Sequence, residues 1–329
     1  MKKKILISIL LCVAFLSLSF TPILGKTIPA AVSPELIVEN YSGMVPVLKA
    51  IQDAKKSVYL EIYGFTQYDL ARAIGRASAR GIETKVMFEK SPVGGDTENW
   101  AIRNMLRHYG VQMKWANPAY FLTHAKFLII DGEKAYIFTG NFTYSTFHKN
   151  REFGVEVTDK DAINELVKIF NSDWNRQPVK EIKDPNLVVS PVNSREKIED
   201  LIKSAKTSID IWQQEVEDSE INDLLEKEIK KGIKVRIIIP PLYRVSGNSY
   251  AVDQLGAEHI KSLPDPYVHA KVIIVDGKRA YIGSNNFSSA SLDMNREMGY
   301  ITSDSTIISE LLDLFKIDWS RSVDPNSLD

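Results

Sequence analysis

The chain has 329 residues, 44% of them hydrophobic and 25% charged, enough to bury a sizeable core and far from a disordered or fibrous composition. Its 41 basic residues against 42 acidic ones leave a net charge of −1, which argues against a polybasic nucleic-acid binder while saying little about a local cleft. A single cysteine, Cys12, excludes a disulfide-stapled scaffold.

Residues 1–25 read as a targeting segment. Lys2-Lys3-Lys4 form a basic start and Ile5 to Gly25 holds no charge, the pattern of a secretory signal peptide with cleavage near Gly25 or Ala30-Ala31. The apolar run is also long enough for an uncleaved membrane anchor. Leu11, just before Cys12, is too large for a lipoprotein cleavage box. Without the leader no thiol is left, and 38 basic residues face 42 acidic ones, a net charge of −4. The expectation is a secreted or otherwise extracytoplasmic monomer.

A first half is expected over 33–176. Tyr41 to Ala54 has a helical pattern and Ser57 to Tyr63 that of a strand. Asp69 to Arg80 is a second helix stopped by Gly81, and Thr84 to Phe88 a second strand. Ser91 to Asp96 is a loop, and Thr97 to Tyr109 a third helix. Next come a hairpin over Thr123 to Thr139, a strand over Phe153 to Val157, and a closing helix over Asp161 to Asn175. Residues 177–193, with Pro178, Pro185 and Pro191, read as a linker.

The second half, 194–325, repeats the first. Ala54-Lys55-Lys56-Ser57-Val58 returns as Ala205-Lys206-Thr207-Ser208-Ile209 at an offset of 151. Thr123-His124-Ala125-Lys126-Phe127-Leu128-Ile129-Ile130-Asp131 returns as Val268-His269-Ala270-Lys271-Val272-Ile273-Ile274-Val275-Asp276 at an offset of 145. The latter register holds through Asn141 and Asn286, Asn150-Arg151-Glu152 and Asn295-Arg296-Glu297, and Asp173-Trp174 and Asp318-Trp319. A fixed period means a duplicated structural unit. Alternating helices and strands in each half argue for an α/β fold with a mixed sheet flanked by helices.

In a strand, His124 and Lys126 project to one face while Phe127 and Ile129 face the other. Asp131-Gly132 signals the hairpin tip. If Gly132 and Glu133 form it, His124 is opposite Asn141; if Asp131 and Gly132 do, it is opposite Thr139. Both registers gather His124, Lys126 and Asn141 at the open end, and the same arithmetic gathers His269, Lys271 and Asn286. Asp131 and Asp276 lie about 16 Å along the strand from their lysines, as turn residues outside the site.

The pattern H-x-K-x4-D, present twice, resembles the signature of the phospholipase D superfamily. Gly283-Ser284-Asn285-Asn286 fits its G-S-x-N extension, and the first copy departs from it with Phe138-Thr139-Gly140-Asn141. The resemblance covers nearly all of the chain after the leader. It implies two repeats about a pseudo-twofold axis with the active site between them. Such a site would hold two histidines, two lysines and two asparagines, suited to a phosphodiester whose charge spreads over its oxygens.

One neutral histidine would attack phosphorus and form a phosphohistidine, while the other, cationic, protonates the leaving alkoxide and then activates water. The resemblance implies His124 as nucleophile and His269 as acid; the residues alone do not choose. Glu152 and Glu297 each lie 28 residues after the histidine of their own half, at the start of the next strand, where each is expected to orient an imidazole. The competing expectation pairs them with the adjacent Arg151 and Arg296. A protonated lysine beside each histidine and the lack of a carboxylate cluster make the set a poor metal site, so neither metal nor other cofactor is expected. His108, His148 and His259 have no counterpart at either offset and read as surface or structural residues, with His148 the nearest exception.

Tyr63, Phe65, Gln213, Glu215 and the Tyr243 to Tyr250 loop are candidates for the rim. The leading expectation is a phospholipase D-type hydrolase acting on phospholipid in transient contact with a membrane surface. The alternatives are a nuclease of the same superfamily, acting on DNA or RNA, and a transphosphatidylase of the cardiolipin-synthase kind.

Overall fold

In a computed structural model that describes residues 36–39, 43–93 and 98–328, the two halves fold alike. The leader expected over 1–25 lies outside the described residues. The first half supplies β1 (Leu36–Val38), β2 (Ser57–Ile62), β3 (Glu83–Phe88), β4 (Gln112–Trp115), β5 (Lys126–Ile130), β6 (Lys134–Phe138), the short β7 (Asn150–Arg151) and β8 (Phe153–Val157). The second supplies β9 (Leu187–Ser190), β10 (Ser208–Gln213), β11 (Lys234–Ile239), β12 (Ile260–Ser262), the short β13 (Tyr267–Val268), β14 (Lys271–Val275), β15 (Arg279–Gly283) and β16 (Glu297–Thr302). One seven-stranded sheet runs β1-β8-β6-β5-β2-β3-β4, and the other runs β9-β16-β15-β14-β10-β11-β12, the same order position by position. Both sheets are mixed, with β2 and β3 parallel and β2 and β5 antiparallel.

Helices cover the outer faces: α1 (Val45–Asp53), α2 (Tyr68–Ala79) and α3 (Glu98–Arg107) on the first half. The short α4 (Tyr144–His148) follows β6, and α5 (Lys160–Trp174) closes that half. Their counterparts are α6 (Ser194–Lys203), α7 (Ser219–Lys230), α8 (Ser249–Leu255), the short α9 (Ser289–Asp293) and α10 (Ser305–Arg321). Phe127 and Ile129 of β5 join Val272 and Ile274 of β14, with α5 and α10, in one apolar cluster shared by the halves. Leu128 and Ile130 face the other way, into a cluster with α1 to α3. With both faces covered, β5 is buried throughout and reads as an apolar run rather than an alternation.

Three expectations change. The stretch 177–193 is not only a linker, because Leu187–Ser190 is the edge strand of the second sheet, paired with β16. Pro185 and Pro191 bracket that strand where no ladder N–H is needed, so their density imitated a connection. The helix read over Tyr41 to Ala54 begins at Val45, with Pro46 in its first turn; residues 40–42 and 94–97 lie outside the described residues. The hairpin takes neither expected register: Ile130 is opposite Lys134, leaving a three-residue tip, Asp131-Gly132-Glu133. Asp131 and Gly132 both adopt positive φ, +58° and +66°, and the Glu133 N–H donates to the Ile130 carbonyl at 3.0 Å. Aspartate tolerates this left-handed conformation better than most side chains, and glycine adopts it freely.

Candidate active site

The chain before each histidine of the repeat pairs with the other half. β13 lies parallel to β7, with Tyr267 opposite Asn150 and Val268 opposite Arg151. Thr123 bridges Arg296 in the same sense, and the His124 N–H donates to the Arg296 carbonyl at 2.8 Å. The His269 N–H donates to the Arg151 carbonyl at 3.3 Å. Each histidine is thus laid beside the Asn-Arg-Glu segment of the opposite half.

The glutamates follow that exchange. His124 Nδ1 lies 2.9 and 3.0 Å from the Glu297 carboxylate oxygens, and His269 Nδ1 lies 2.5 Å from Glu152 Oε1. Glutamate and histidine therefore pair across the halves, not within one half as the 28-residue spacing suggested. The pairing with the adjacent arginines does not occur either. Arg151 donates to Asp318 at 2.7 and 2.8 Å, and Arg296 donates to Asp173 at 2.9 Å. Both ion pairs are buried and both cross between halves. Glu297 is also held by the Ser291 hydroxyl (2.6 Å) and Asn295 (3.2 Å), and Glu152 by the Thr139 hydroxyl (2.6 Å).

Lys126 and Lys271 are fully buried. Each ammonium donates to the carbonyl of the histidine two residues before it, and Lys271 donates also to Gln214 Oε1 at 2.8 Å. Burial, more than any neighbour, pulls His124 down to about 4, against the opposing pull of Glu297. It likewise lowers Lys126 to about 7, and it lowers His269 and Lys271. Lys271 acts on His124, and Lys126 on His269, so the four groups share one pocket. Burial alone would raise Glu152 and Glu297, but the histidine and lysine facing each hold both below the usual carboxylate range.

Asn141 and Asn286 complete the pocket. The Phe142 N–H donates to the Gly64 carbonyl at 2.9 Å, and the Phe287 N–H donates to the Glu215 carbonyl at 3.0 Å. These bonds hold each asparagine against the end of β2 or β10. The side-chain carbonyl oxygens of both asparagines are buried without a hydrogen-bond partner. Asp131 and Asp276 sit at the far ends of their hairpins. Asp131 accepts from the N–H groups of Lys55, Lys56 and Ser57 at 2.6 to 3.0 Å, tying the tip to the start of β2. Asp276 does the same with Lys206, Thr207 and Ser208.

The candidate rim residues divide. Phe65 is buried against Phe142, and Gln213 is buried with its amide on the Asn285 carbonyl, so neither lines the site. Tyr63 packs edge-on to the His124 ring at 4.7 Å and beneath Lys126 at 5.2 Å. Glu215 accepts the Phe287 N–H on its carbonyl at 3.0 Å, next to Asn286, and Lys271 acts on its carboxylate. His148 stacks near Tyr144, and His108 and His259 bond to the carbonyls of Asn104 and Val235. Sequence reasoning missed Gln214 as the partner of Lys271; it differs from its counterpart Tyr63, and the repeat highlights only what the halves share. Among the described residues, no group of three or more His, Cys, Asp or Glu is arranged to hold a metal ion.

A family model described as "Cardiolipin synthase, PLD-like domain" matches residues 47–174 and again 198–319. The cardiolipin synthase of Oceanobacillus iheyensis is 26% identical over 333 aligned positions, covering 88% of this chain and 69% of that protein. Cardiolipin synthase 1 of Bacillus anthracis is 24% identical over 350, covering 90% of this chain and 68% of that protein. A solved phosphatidylserine synthase from Haemophilus influenzae superposes with a TM-score of 0.71 at 12% identity, covering 90% of this chain and 88% of that one, a likeness of fold.

Proposed function

The chain belongs to the phospholipase D superfamily, within the family of cardiolipin synthase PLD-like domains, and from that premise we propose that it transfers a phosphatidyl group from one alcohol to another. The observation that carries this reading is that the family match takes in both repeats, and with them both histidines. Transfer displaces simple hydrolysis as the leading reading because the relatives bear the names of synthases.

The chemistry runs through the crossed pairs. With its Nδ1–H donated to Glu297, neutral His124 keeps its Nε2 lone pair for phosphorus. As the N–P bond forms, the P–O bond to the leaving alcohol breaks, and His269 gives that oxygen its proton. The acceptor alcohol then surrenders its proton to His269 while its oxygen displaces His124. Glu152 and Glu297 fix the two imidazoles, and Lys126, Lys271, Asn141 and Asn286 surround the phosphate oxygens. Burial lowers both lysines, and a bound phosphodiester, as an anion beside them, favours their charged form.

Lipid fits the rim better than nucleic acid. Phe121 and Met294 are exposed side by side, joined by a backbone hydrogen bond of 3.1 Å, three residues before His124 and Glu297 respectively. Among the described residues, no helix is long and apolar enough to cross a membrane. From the basic start and uncharged apolar run of residues 1–25 we propose that the enzyme works on the outer side of a membrane.

The test is incubation of the full chain with phosphatidylglycerol vesicles, phosphatidylcholine vesicles and single-stranded DNA in parallel, with and without EDTA. Cardiolipin and free glycerol are expected from the first, unchanged by chelation. Phosphatidic acid without cardiolipin would assign a hydrolase, and cleavage confined to DNA would assign a nuclease.

A further inference from the structure

The halves share their machinery but not their walls. In the first half Tyr63 presents a ring to His124 and Lys126, and the next residue, Gly64, presents nothing. A Cβ on Gly64 would meet Asn141 Cγ at 3.2 Å, so a side chain there would have to push Asn141 aside by a few tenths of an ångström. At the same positions of the second half stand Gln214, whose oxygen takes Lys271, and Glu215, whose carbonyl accepts the N–H of Phe287, the residue after Asn286, at 3.0 Å. The Tyr267 hydroxyl lies 3.4 Å from the Gln214 amide on the same side. One wall is aromatic and bare, the other polar and acidic.

An acid beside an anion site needs a reason. Glu152 and Glu297 already balance Lys126 and Lys271, so Glu215 is a third carboxylate in a pocket that must take a phosphodiester. Its pKa is raised, first by burial and then by Glu217 and Glu297, against the pull of Lys271. A carboxylate there repels the phosphate oxygens but attracts a hydroxyl or ammonium that arrives with them. In-line displacement sets the nucleophile and the exchanging alcohol on opposite sides of phosphorus. With His124 as nucleophile, that alcohol lies on the His269 side, against the polar wall.

We propose that Glu215 selects the alcohol, accepting a hydrogen bond from a second donor, hydroxyl or ammonium, carried by the group that leaves or accepts at His269. The bare wall of Tyr63 and Gly64 then takes the diacylglycerol side. This inference rests on the transfer reading above and names the specificity of the same site.

The experiment is an acceptor competition in the full chain. Bis(p-nitrophenyl) phosphate serves as donor, with equimolar glycerol and 1-propanol as acceptors, and the ratio of the two mixed diesters is read by mass spectrometry. The ratio is internal, so it is read at any turnover rate. The wild type is expected to favour glycerol by about tenfold, the discrimination of one charge-assisted hydrogen bond. Glu215→Gln and Glu215→Gly are expected to bring the ratio to the roughly twofold set by counting primary hydroxyls. A carboxylate that only positioned Asn286 would slow both products alike and leave the ratio unchanged, which overturns the proposal, as does a wild-type ratio already near two. p-Nitrophenol released with no mixed diester at all refutes the transfer reading and this inference with it. Mixed diesters formed while phosphatidylglycerol vesicles yield no cardiolipin would refute the lipid reading and leave the ratio as the judge of Glu215.

Discussion

At the scale of single residues, the pairing of His124 with Glu297 and of His269 with Glu152 decides what a carboxylate substitution does. Glu297→Gln removes the acceptor that fixes the His124 tautomer and is expected to lower turnover by about 10²-fold or more, less than the loss in a Ser-His-Asp triad because two lysines still neutralise the phosphate. Imidazole resonances assigned by NMR should move for His124 and stay for His269. A shift of His269 alone would mean pairing within each half.

The same residues set the pH dependence. His124 loses its reactive lone pair only as pH falls towards about 4. His269 sheds its acidic proton below the ordinary histidine value of 6.5, and Lys126 becomes neutral above about 7. The expected profile of kcat/KM is a bell with its maximum on the acid side of 6.5. A plateau reaching pH 8 would show that these burial effects do not govern the free enzyme.

At the scale of elements, the hairpin separates what holds the site from what belongs to it. Asp131 binds three backbone N–H groups at the start of β2, so Asp131→Asn exchanges an ionised acceptor for a weaker one. The expected loss is about 1–3 kcal/mol of stability, with turnover of the folded protein close to normal. Melting temperature and activity measured together check this; full inactivation at an unchanged melting temperature would contradict it.

Elements whose own residues carry their signal were legible in the sequence. The helices of the first half come from periodicity and a terminal glycine, and the hairpin from Asp131-Gly132. Its register was not, because it turns on whether the tip holds two residues or three. The edge strand Leu187–Ser190 hid between prolines. Most of the site was legible because it is written twice. The crossing of glutamates and histidines was not, because an offset relates a residue to its copy and says nothing of which copy it touches.

At the scale of the molecule, the halves are fastened by buried charge as well as apolar surface. Arg151 reaches Asp318 and Arg296 reaches Asp173, so a half on its own would carry an arginine and an aspartate that lost their partners. Removing one member of such a buried pair costs about 3–5 kcal/mol. Fragments 36–185 and 186–329, divided before the edge strand, are expected to be inactive and unstable apart, and to recover activity when coexpressed. Activity from one fragment shown to be monomeric would contradict the shared pocket.

The exchanged glutamates also impose an order on biosynthesis. His124 leaves the ribosome 173 residues ahead of the carboxylate that orients it, and Arg151 waits 167 residues for Asp318. A growing chain carries its first histidine, lysine and asparagine without the carboxylate that pairs with the histidine. The candidate site is thereby incomplete until the last part of the second half has been made. A message truncated anywhere before Glu297 yields a protein in which no carboxylate pairs with the His124 ring.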